Sequence, residues 1–241
     1  MQLSIQTIKE AHNRIKPYII NTPIKSNNEI NNLVDADIYF KCENLQNSGS
    51  FKFRGASNAI FSLNDDEANN GVITVSSGNH GTALSLAAKN RGIKATVILP
   101  SNATSYKRNL IEELGAHIIE CEPTVESREK TLLYHQEKSQ ATIIHPYNDY
   151  RIMSGQGTIS LEIIEKIPDV DIIIIPVGGG GLISGNAVAL NSIAPTIEII
   201  GAEPDLANDA QQSLRKKVLI PSTYPETIAD GLRTSLGSKT F

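Results

Sequence analysis

The fold is decided by a short apolar strand that runs directly into a loop of small residues, Val72-Ile73-Thr74-Val75-Ser76-Ser77-Gly78-Asn79-His80-Gly81. The strand lacks the alternation of apolar and polar side chains seen in half-exposed strands, which is typical of a parallel strand covered on both faces. Residues 81–91 then place apolar side chains at intervals of three and four, the period of an amphipathic helix. Strand, loop and helix together predict one unit of an α/β fold.

The same unit recurs along the chain, with two polar breaks at 62–70 and 146–150. Helical patterns follow the strands, one of them over 158–167, and this alternation favours parallel sheets with right-handed crossovers. We predict a small domain formed by 71–148, inserted into a larger domain formed by 1–70 together with 149–241. The further β-branched runs occupy 95–99, 117–121, 142–145, 172–175 and 197–202.

Composition narrows the class of protein and its partners. The chain of 241 residues carries 22 Lys and Arg against 26 Asp and Glu, so its formal net charge is −4. This mild acidity argues against nucleic acid or an anionic membrane as partner. The longest apolar runs, such as 172–175, are too short to span a bilayer, and residues 1–6 lack the features of a signal peptide. The 2 cysteines cannot form a disulfide framework, and we expect a cytoplasmic protein.

Lys52 is the first candidate catalytic residue. It follows Ser50 and Phe51 at the start of a helix-like segment, where the positive end of a helix dipole and partial burial would both lower the pKa of its amine. An uncharged amine near neutral pH can attack an aldehyde and form a Schiff base. Most lysines are solvated surface charges, so spacing alone leaves that alternative open.

Two loops of small residues, each between a strand and a helix, are candidate anion sites. Ser76–Gly81 would present backbone N–H groups to a carboxylate; the alternative is a tight turn with a serine as helix cap and His80 as a turn residue. Gly178–Gly181 leaves four amides without Cβ atoms and suits a phosphate. No Lys-Ser or Lys-Thr follows it, and Ile183 stands where a dinucleotide-binding pattern needs a third glycine, so neither of those sites is indicated.

An acidic loop is the candidate metal site. Glu203 and Asp209, with free backbone carbonyls between them, suit a hard cation such as Mg²⁺ or Ca²⁺. By spacing alone, a solvated acidic loop at a strand end is the favoured reading. A transition-metal site is not indicated, because no paired ligand spacing is found among the histidines, His12, His80, His117, His135 and His145.

The order of the motifs resembles that of the fold-type II enzymes that use pyridoxal 5′-phosphate, and within them the serine racemases and the serine and threonine dehydratases. This resemblance implies two open parallel-sheet domains, each a three-layer αβα arrangement, and a homodimer. It also implies that the larger domain is incomplete, since no Ser-Gly-Gly-Asn stretch of that family follows. The matching motifs are Asn21-Thr22-Pro23, Ser50–Ala56, Ser76–Gly81, Gly155–Thr158, Gly178–Gly181, Glu203-Pro204 and Thr227–Gly231.

The resemblance also implies roles for individual residues. Lys52 corresponds to the Schiff-base lysine, and Ser77 to the residue that exchanges a proton on the opposite face of the cofactor. Phe51 would lie beside the cofactor ring and Asn79 would bond its phenolic oxygen. The remaining implied sites are the phosphate loop Gly178, Gly179, Gly180, Gly181 and Leu182, the substrate carboxylate site Ser76, Ser77, Gly78, Asn79 and His80, and a Mg²⁺ (or Ca²⁺ or Mn²⁺) site at Glu203, Ala207 and Asp209.

Three readings of function follow from the resemblance. The first is a racemase that interconverts L- and D-serine and also eliminates the β-hydroxyl of serine to give pyruvate and ammonia. The second is an L-threonine or 3-hydroxyaspartate dehydratase. Ser77 and the metal set favour the racemase, whereas Tyr147, an aromatic residue after His145-Pro146, favours the dehydratases. The third, a non-enzymatic reading, is an inactive truncated fragment.

Overall fold

The computed structural model describes residues 2–76, 78–223 and 225–241, so the predicted catalytic residue Ser77 lies outside the described residues. From residue 72 onward strands and helices alternate, as the sequence predicts. The helices are α1 (Ile5–Ile15), α2 (Asn28–Val34), α3 (Lys52–Phe61), α4 (Asp65–Asn70), α5 (Asn79–Arg91), α6 (Ser105–Glu113), α7 (Val125–Ser139), α8 (Tyr150–Lys166), α9 (Gly181–Ile193) and α10 (Asp209–Lys216). The strands are β1 (Ile24–Ser26), β2 (Tyr39–Lys41), β3 (Val72–Val75), β4 (Ala95–Pro100), β5 (His117–Cys121), β6 (Thr142–Ile143), β7 (Ile172–Pro176) and β8 (Glu198–Ala202).

The largest sheet has four parallel strands in the order β5-β4-β3-β6. All of them fall inside the predicted 71–148 segment, and β3 is buried along most of its length. Apolar side chains from β3, α3 and α5 pack into one core that includes Phe53, Leu84 and Ile144. This core holds the loop after β3 close to the start of α3.

A second parallel pair, β7-β8, lies in the part of the chain predicted to form the larger domain. The predicted parallel-sheet α/β class is confirmed by these two sheets. Strands β1 and β2 form an additional antiparallel pair that the sequence pattern does not predict, since both strands are only 3 residues long. In the described part of the chain, none of the helices has the length and apolar character needed to cross a membrane.

Helix α8 starts earlier than the sequence pattern predicts. The pattern gives a helix only from Thr158, whereas the structure begins it at Tyr150, where the Asp149 side chain accepts a hydrogen bond from the backbone N–H of Arg151. The two glycines at 155 and 157 disfavour a helix by local propensity. They are buried inside α8, in contact with the neighbouring helices α3 and α9. Tertiary packing therefore overrides the local signal.

The polar stretch 62–70, predicted as a surface link, contains the short helix α4. Its first turn is closed by reciprocal hydrogen bonds, in which the Asn64 side chain accepts from Glu67 N–H and the Glu67 carboxylate accepts from Asn64 N–H. This capping box explains why a stretch without apolar periodicity still forms a helix.

Candidate active site

A cavity of about 320 Å³ lies between the start of α3, the loop after β3 and the loop after β7. The sequence-predicted residues Lys52, Asn79 and Gly178–Gly181 all line it, together with Tyr147 from the loop between β6 and α8. Both strand-to-helix loops lie at the carboxyl ends of parallel strands, where open α/β sheets bind ligands. The structure thus brings the predicted amine and the two predicted anion loops to one place.

Lys52 is the first residue of α3, and its amine points into the cavity. Its Nζ donates a hydrogen bond to the Pro146 carbonyl at 3.0 Å and lies 5.3 Å from the centre of the Phe51 ring and 5.9 Å from that of Tyr147. Burial lowers the pKa of Lys52 from its ordinary value of 10.5 to about 8. At this pKa about a tenth of the amine is uncharged at pH 7, far more than for a lysine at its ordinary pKa, and the uncharged form is the nucleophile.

Two histidines beside Lys52 are held in the neutral form. Burial, followed by the positive charge of Lys52, lowers the pKa of His80 to about 3. Burial also lowers the pKa of His145 to about 4. The negative charge of Asp149 opposes this shift, and the positive charges of Lys52 and Lys239 add to it. The His145 Nδ1 accepts a hydrogen bond from Asn148 N–H at 2.9 Å, which fixes the turn that carries Tyr147. Neither imidazole can serve as a proton donor near pH 7.

The loop after β3 is partly engaged by its own hydrogen bonds. The Ser76 hydroxyl oxygen accepts from Gly81 N–H at 3.0 Å and from Gly78 N–H at 3.2 Å, and the Ser76 N–H donates to Ile98. Ser76 therefore closes the first turn of α5, which is the helix-cap alternative raised for this loop. Its predicted role in binding a substrate carboxylate stays a prediction.

The loop after β7 is a cradle of bare backbone at the N-terminus of α9. A Cβ at Gly179 would lie 2.3 Å from the Tyr147 ring, and one at Gly180, whose φ is +85°, would lie 2.6 Å from Thr240 Oγ1. Glycine is required at both positions, by close approach at the first and by backbone conformation as well at the second. Amides without side chains at a helix N-terminus suit a phosphate.

The ring of Tyr147 lies near both the Lys52 amine and the phosphate cradle. Its centre is 5.9 Å from Lys52 Nζ, and the ring packs on Gly179. The sequence singles it out only as an aromatic residue that favours the dehydratases, and no local signal shows that its ring covers Gly179. Burial, followed by the negative charge of Asp209, raises the pKa of the Tyr147 hydroxyl, which therefore stays protonated.

The predicted metal ligands Glu203, Ala207 and Asp209 surround the start of α10. The Glu203 carboxylate accepts hydrogen bonds from Ala210 and Gln211 N–H at 3.0 and 2.8 Å. Asp209 is 2% exposed, and its Oδ2 accepts from Leu236 N–H at 2.7 Å while its Oδ1 has no partner among the described residues. Burial raises the pKa of both carboxyls. The described residues hold no cluster of three or more His, Cys, Asp or Glu side chains suited to a metal.

A buried ion network lies beneath the start of α3, and the sequence reading missed it. Arg54, two residues after Lys52, is fully buried and donates to the carboxylates of Glu43 and Glu162 at 2.7–2.8 Å. Lys41 donates to the same Glu162 at 2.6 Å. Two cations thus face two anions. Charged residues far apart in sequence show no periodic signal, so only the fold reveals that they meet.

A buried lysine amine of lowered pKa that lines the same cavity as a glycine-rich phosphate cradle defines a site for a phosphorylated carbonyl compound. Residues 15–241 match the family described as "Pyridoxal-phosphate dependent enzyme", and the chain belongs to this family. The residues present fit pyridoxal 5′-phosphate, because the cradle has no Cβ atoms to exclude a phosphate and the Lys52 amine, with its lowered pKa, lines the same cavity.

Individual relatives refine the comparison. A serine racemase from Oryza sativa subsp. indica is 48% identical over 98% of this chain and 70% of its own length. A beta-hydroxyaspartate dehydratase from Paracoccus denitrificans is 44% identical over 96% of this chain and 73% of its own length. The solved structure of maize serine racemase superposes with a TM-score of 0.98 at 46% identity, covering 100% of this chain and 73% of the maize chain.

The lowered pKa of Lys52 predicts how cofactor attachment depends on pH. The uncharged fraction of its amine rises as pH rises through about 8, so the rate of attachment to the cofactor-free protein should rise through the same window and then level off. Stopped-flow absorbance with pyridoxal 5′-phosphate at constant ionic strength measures this. A rate still rising steeply above pH 10 would contradict the low pKa, and Lys52→Ala must lack the phase altogether.

Proposed function

We propose that this protein is a pyridoxal 5′-phosphate-dependent serine racemase that also eliminates the β-hydroxyl of serine to release pyruvate and ammonia. The observation that carries the proposal is the low-pKa amine of Lys52 in one cavity with the Gly178–Gly181 cradle. The likeness to serine racemases over nearly the whole chain supports the same substrate. We further propose the homodimeric state and cytoplasmic location expected from the sequence, and the division into a 71–148 domain and a larger one.

In the proposed reaction separate residues of the chain bind the cofactor and the substrate. Pyridoxal 5′-phosphate, when bound, supplies an electron sink that acidifies the Cα proton of an amino acid joined to it. Gly178–Gly181 and Leu182 would hold its phosphate, Asn79 would hydrogen-bond its phenolic oxygen, and Phe51 would lie beside its ring. Residues 76–80 bind the substrate carboxylate.

Lys52 and Ser77 would carry out the proton transfers, each on its own face of the cofactor. The Lys52 amine is uncharged often enough to accept the Cα proton on its own face. Ser77 returns a proton on the other face, and the same two residues exchange roles for the opposite enantiomer. His80 stays neutral at a pKa of about 3, so it binds or orients rather than protonates.

The competing dehydratase reading is tested by product analysis. With L-serine as substrate we expect both D-serine, measured by chiral chromatography, and pyruvate, measured with a coupled dehydrogenase. Brisk pyruvate release without detectable D-serine would reject the racemase, and faster turnover of L-threonine or 3-hydroxyaspartate would favour a dehydratase.

Tyr147→Asn should raise the ratio of D-serine to pyruvate, because the aromatic residue is the feature that favours elimination. If the protein shows no cofactor absorbance band that depends on Lys52, the proposed enzymatic function is wrong.

We also propose that Glu203, Asp209 and the Ala207 carbonyl bind Mg²⁺, Ca²⁺ or Mn²⁺. The Asp209 Oδ1, which has no hydrogen-bond partner in the described part of the chain, and the raised pKa of both carboxyls support it, because a cation would satisfy the oxygen and favour the ionised forms. Oxygen ligands are those that these cations prefer.

Binding of such a cation should raise the melting temperature of the protein. At a concentration of Mg²⁺ about a hundred times its Kd, linkage stabilises the folded state by about 2.7 kcal/mol, which differential scanning fluorimetry resolves. Chelation should reverse the gain, and Glu203→Gln should reduce it. The exposed carboxylate of Glu198 provides the matched control, since Glu198→Gln should respond to Mg²⁺ like the unaltered protein. An unchanged melting temperature with every cation would reject the site.

A further inference from the structure

Helix α8 lies between the helix that carries Lys52 and the helix that begins at the phosphate cradle. Its residues Gly155 and Gly157 are two positions apart, about 200° around a helix, so they face nearly opposite sides. Gly155 faces α3 and Gly157 faces α9. The motif that contains them, Gly155–Thr158, has no role in the proposed chemistry.

The contact with α3 is backbone against backbone. A Cβ at Gly155 would lie 2.6 Å from the Arg54 carbonyl oxygen and from Gly55 Cα, and a Cβ at Gly55 would lie 2.8 Å from the Ile152 carbonyl. The Gln156 side chain accepts a hydrogen bond from Gly55 N–H at 3.2 Å. Gly55 is one helical turn beyond Lys52, so this contact fixes the point from which the Lys52 side chain projects.

The contact with α9 has the same form. A Cβ at Gly157 would lie 2.6 Å from the Gly185 carbonyl oxygen, and a Cβ at Gly185 would lie 2.1 Å from that of Met153. The Asn186 amide nitrogen donates to the Gln156 carbonyl at 3.2 Å, and its oxygen accepts from Ser160 N–H at 3.0 Å. Gly185 is one turn beyond Gly181, the residue that ends the phosphate cradle.

We propose that Gly155 and Gly157 are positioning residues that set the distance between the Lys52 amine and the phosphate cradle by holding α3 and α9 at backbone contact on opposite faces of α8. The inference rests on the proposed function, since it assigns the two ends of one cofactor to these two contacts. A cofactor of limited reach held at its phosphate can meet Lys52 only when this separation is right. Ångström-scale misplacement of reacting groups can cost about a hundredfold in rate.

The proposal predicts that the two faces of α8 can be disturbed separately. Inorganic phosphate probes the cradle alone, and pyridoxal, which lacks the phosphate, probes Lys52 alone. We expect Gly155→Ala and its counterpart Gly55→Ala to slow borohydride-trapped attachment of pyridoxal to Lys52 about tenfold, a fraction of the loss that ångström-scale misplacement can cause. The same two variants should leave the Kd for phosphate within about twofold of that of the unaltered protein, a difference under 0.5 kcal/mol.

The two variants on the other face should show the reverse pattern. Gly157→Ala and Gly185→Ala should weaken phosphate binding about tenfold, a loss of about 1.4 kcal/mol, with pyridoxal attachment unchanged. All four variants should weaken pyridoxal 5′-phosphate, which needs both ends. Mass spectrometry of the trapped adduct and calorimetric titration of phosphate give the two readouts.

A merely structural role would lower both readouts in parallel in every variant, and that outcome overturns the inference. If an alanine variant does not fold, Gln156→Met replaces it on the α3 face, where it removes the hydrogen bond from Gly55 N–H. On the α9 face Asn186→Ala replaces it, removing the Asn186 hydrogen bonds to Gln156 and Ser160. Neither variant adds a Cβ, and parallel losses in these variants overturn the inference equally. Absence of D-serine formation by an unaltered protein that takes up both probes would contradict the proposed function alone.

Discussion

Lys52→Ala should abolish covalent attachment of pyridoxal 5′-phosphate and lower serine turnover by about four orders of magnitude or more, the scale of loss seen when a catalytic nucleophile or base is deleted. In the proposed reaction this residue both anchors the cofactor and moves the Cα proton, so one substitution removes two functions. Absorbance of the bound cofactor and borohydride trapping report the loss of attachment, and product analysis reports the loss of turnover. Lys107, the other lysine that lines the cavity, is paired with Asp230, and Lys107→Ala should retain attachment. Attachment that persists in Lys52→Ala would reject the assignment.

The same variant separates catalysis from folding through the pH dependence of stability. In the cofactor-free protein the pKa of Lys52 is lowered from 10.5 to about 8, so between these values the unfolded chain binds more protons than the folded one. Stability from this residue therefore rises as pH rises from about 8 to 10.5 and is flat outside that window. Urea unfolding across this range should show the rise in the unaltered protein and its loss in Lys52→Ala. Identical profiles would mean that Lys52 is not buried as the structure shows.

The loops that carry the site are predictable from sequence because their chemistry is local. A run of glycines between a strand and a helix must leave backbone amides bare at a helix N-terminus, wherever the rest of the chain lies. Lys52 is harder, since helix position alone leaves it among ordinary surface lysines. Its lowered pKa comes from burial, which depends on elements far away in sequence.

The contacts that hold the site together could not be predicted from the sequence either, because they join residues that are far apart in the chain. Gly155 and Gly157 disfavour a helix by local propensity. They are needed because α3 and α9 pack closely against them, and this packing cannot be read from the sequence of α8 alone. Tyr147 meets Gly179 from 32 positions earlier in the chain. The acidic loop is an intermediate case. Its residue types suggest a cation, but only the structure shows that Asp209 is buried with one oxygen that finds no partner among the residues described.

The buried ion network beneath α3 should be the most sensitive structural element of the site. Glu162 is 1% exposed and is bonded to both Arg54 and Lys41. Its replacement by glutamine keeps the shape but leaves a buried cation without its counter-charge. Such a loss typically destabilises a protein by about 3–5 kcal/mol, which for a chain of this size lowers the melting temperature by roughly 10 °C. Differential scanning calorimetry of Glu162→Gln measures it.

A matched substitution on the surface distinguishes burial from charge pairing as such. Glu120 pairs with Arg108 at 2.6 Å, but its side chain is 58% exposed, so Glu120→Gln should cost about 1 kcal/mol or less.

Burial alone would raise the pKa of Glu162, but the hydrogen bonds and charges of Arg54 and Lys41 outweigh it and lower that pKa. The stabilisation by Glu162 is therefore complete above its unfolded pKa of about 4.3 and is lost as pH falls below it toward the lower folded value. The stability curves of Glu162→Gln and the unaltered protein should consequently converge in acid. Equal, small effects of the two glutamine substitutions at pH 7 would mean that the network does not hold α3, and with it Lys52, in place.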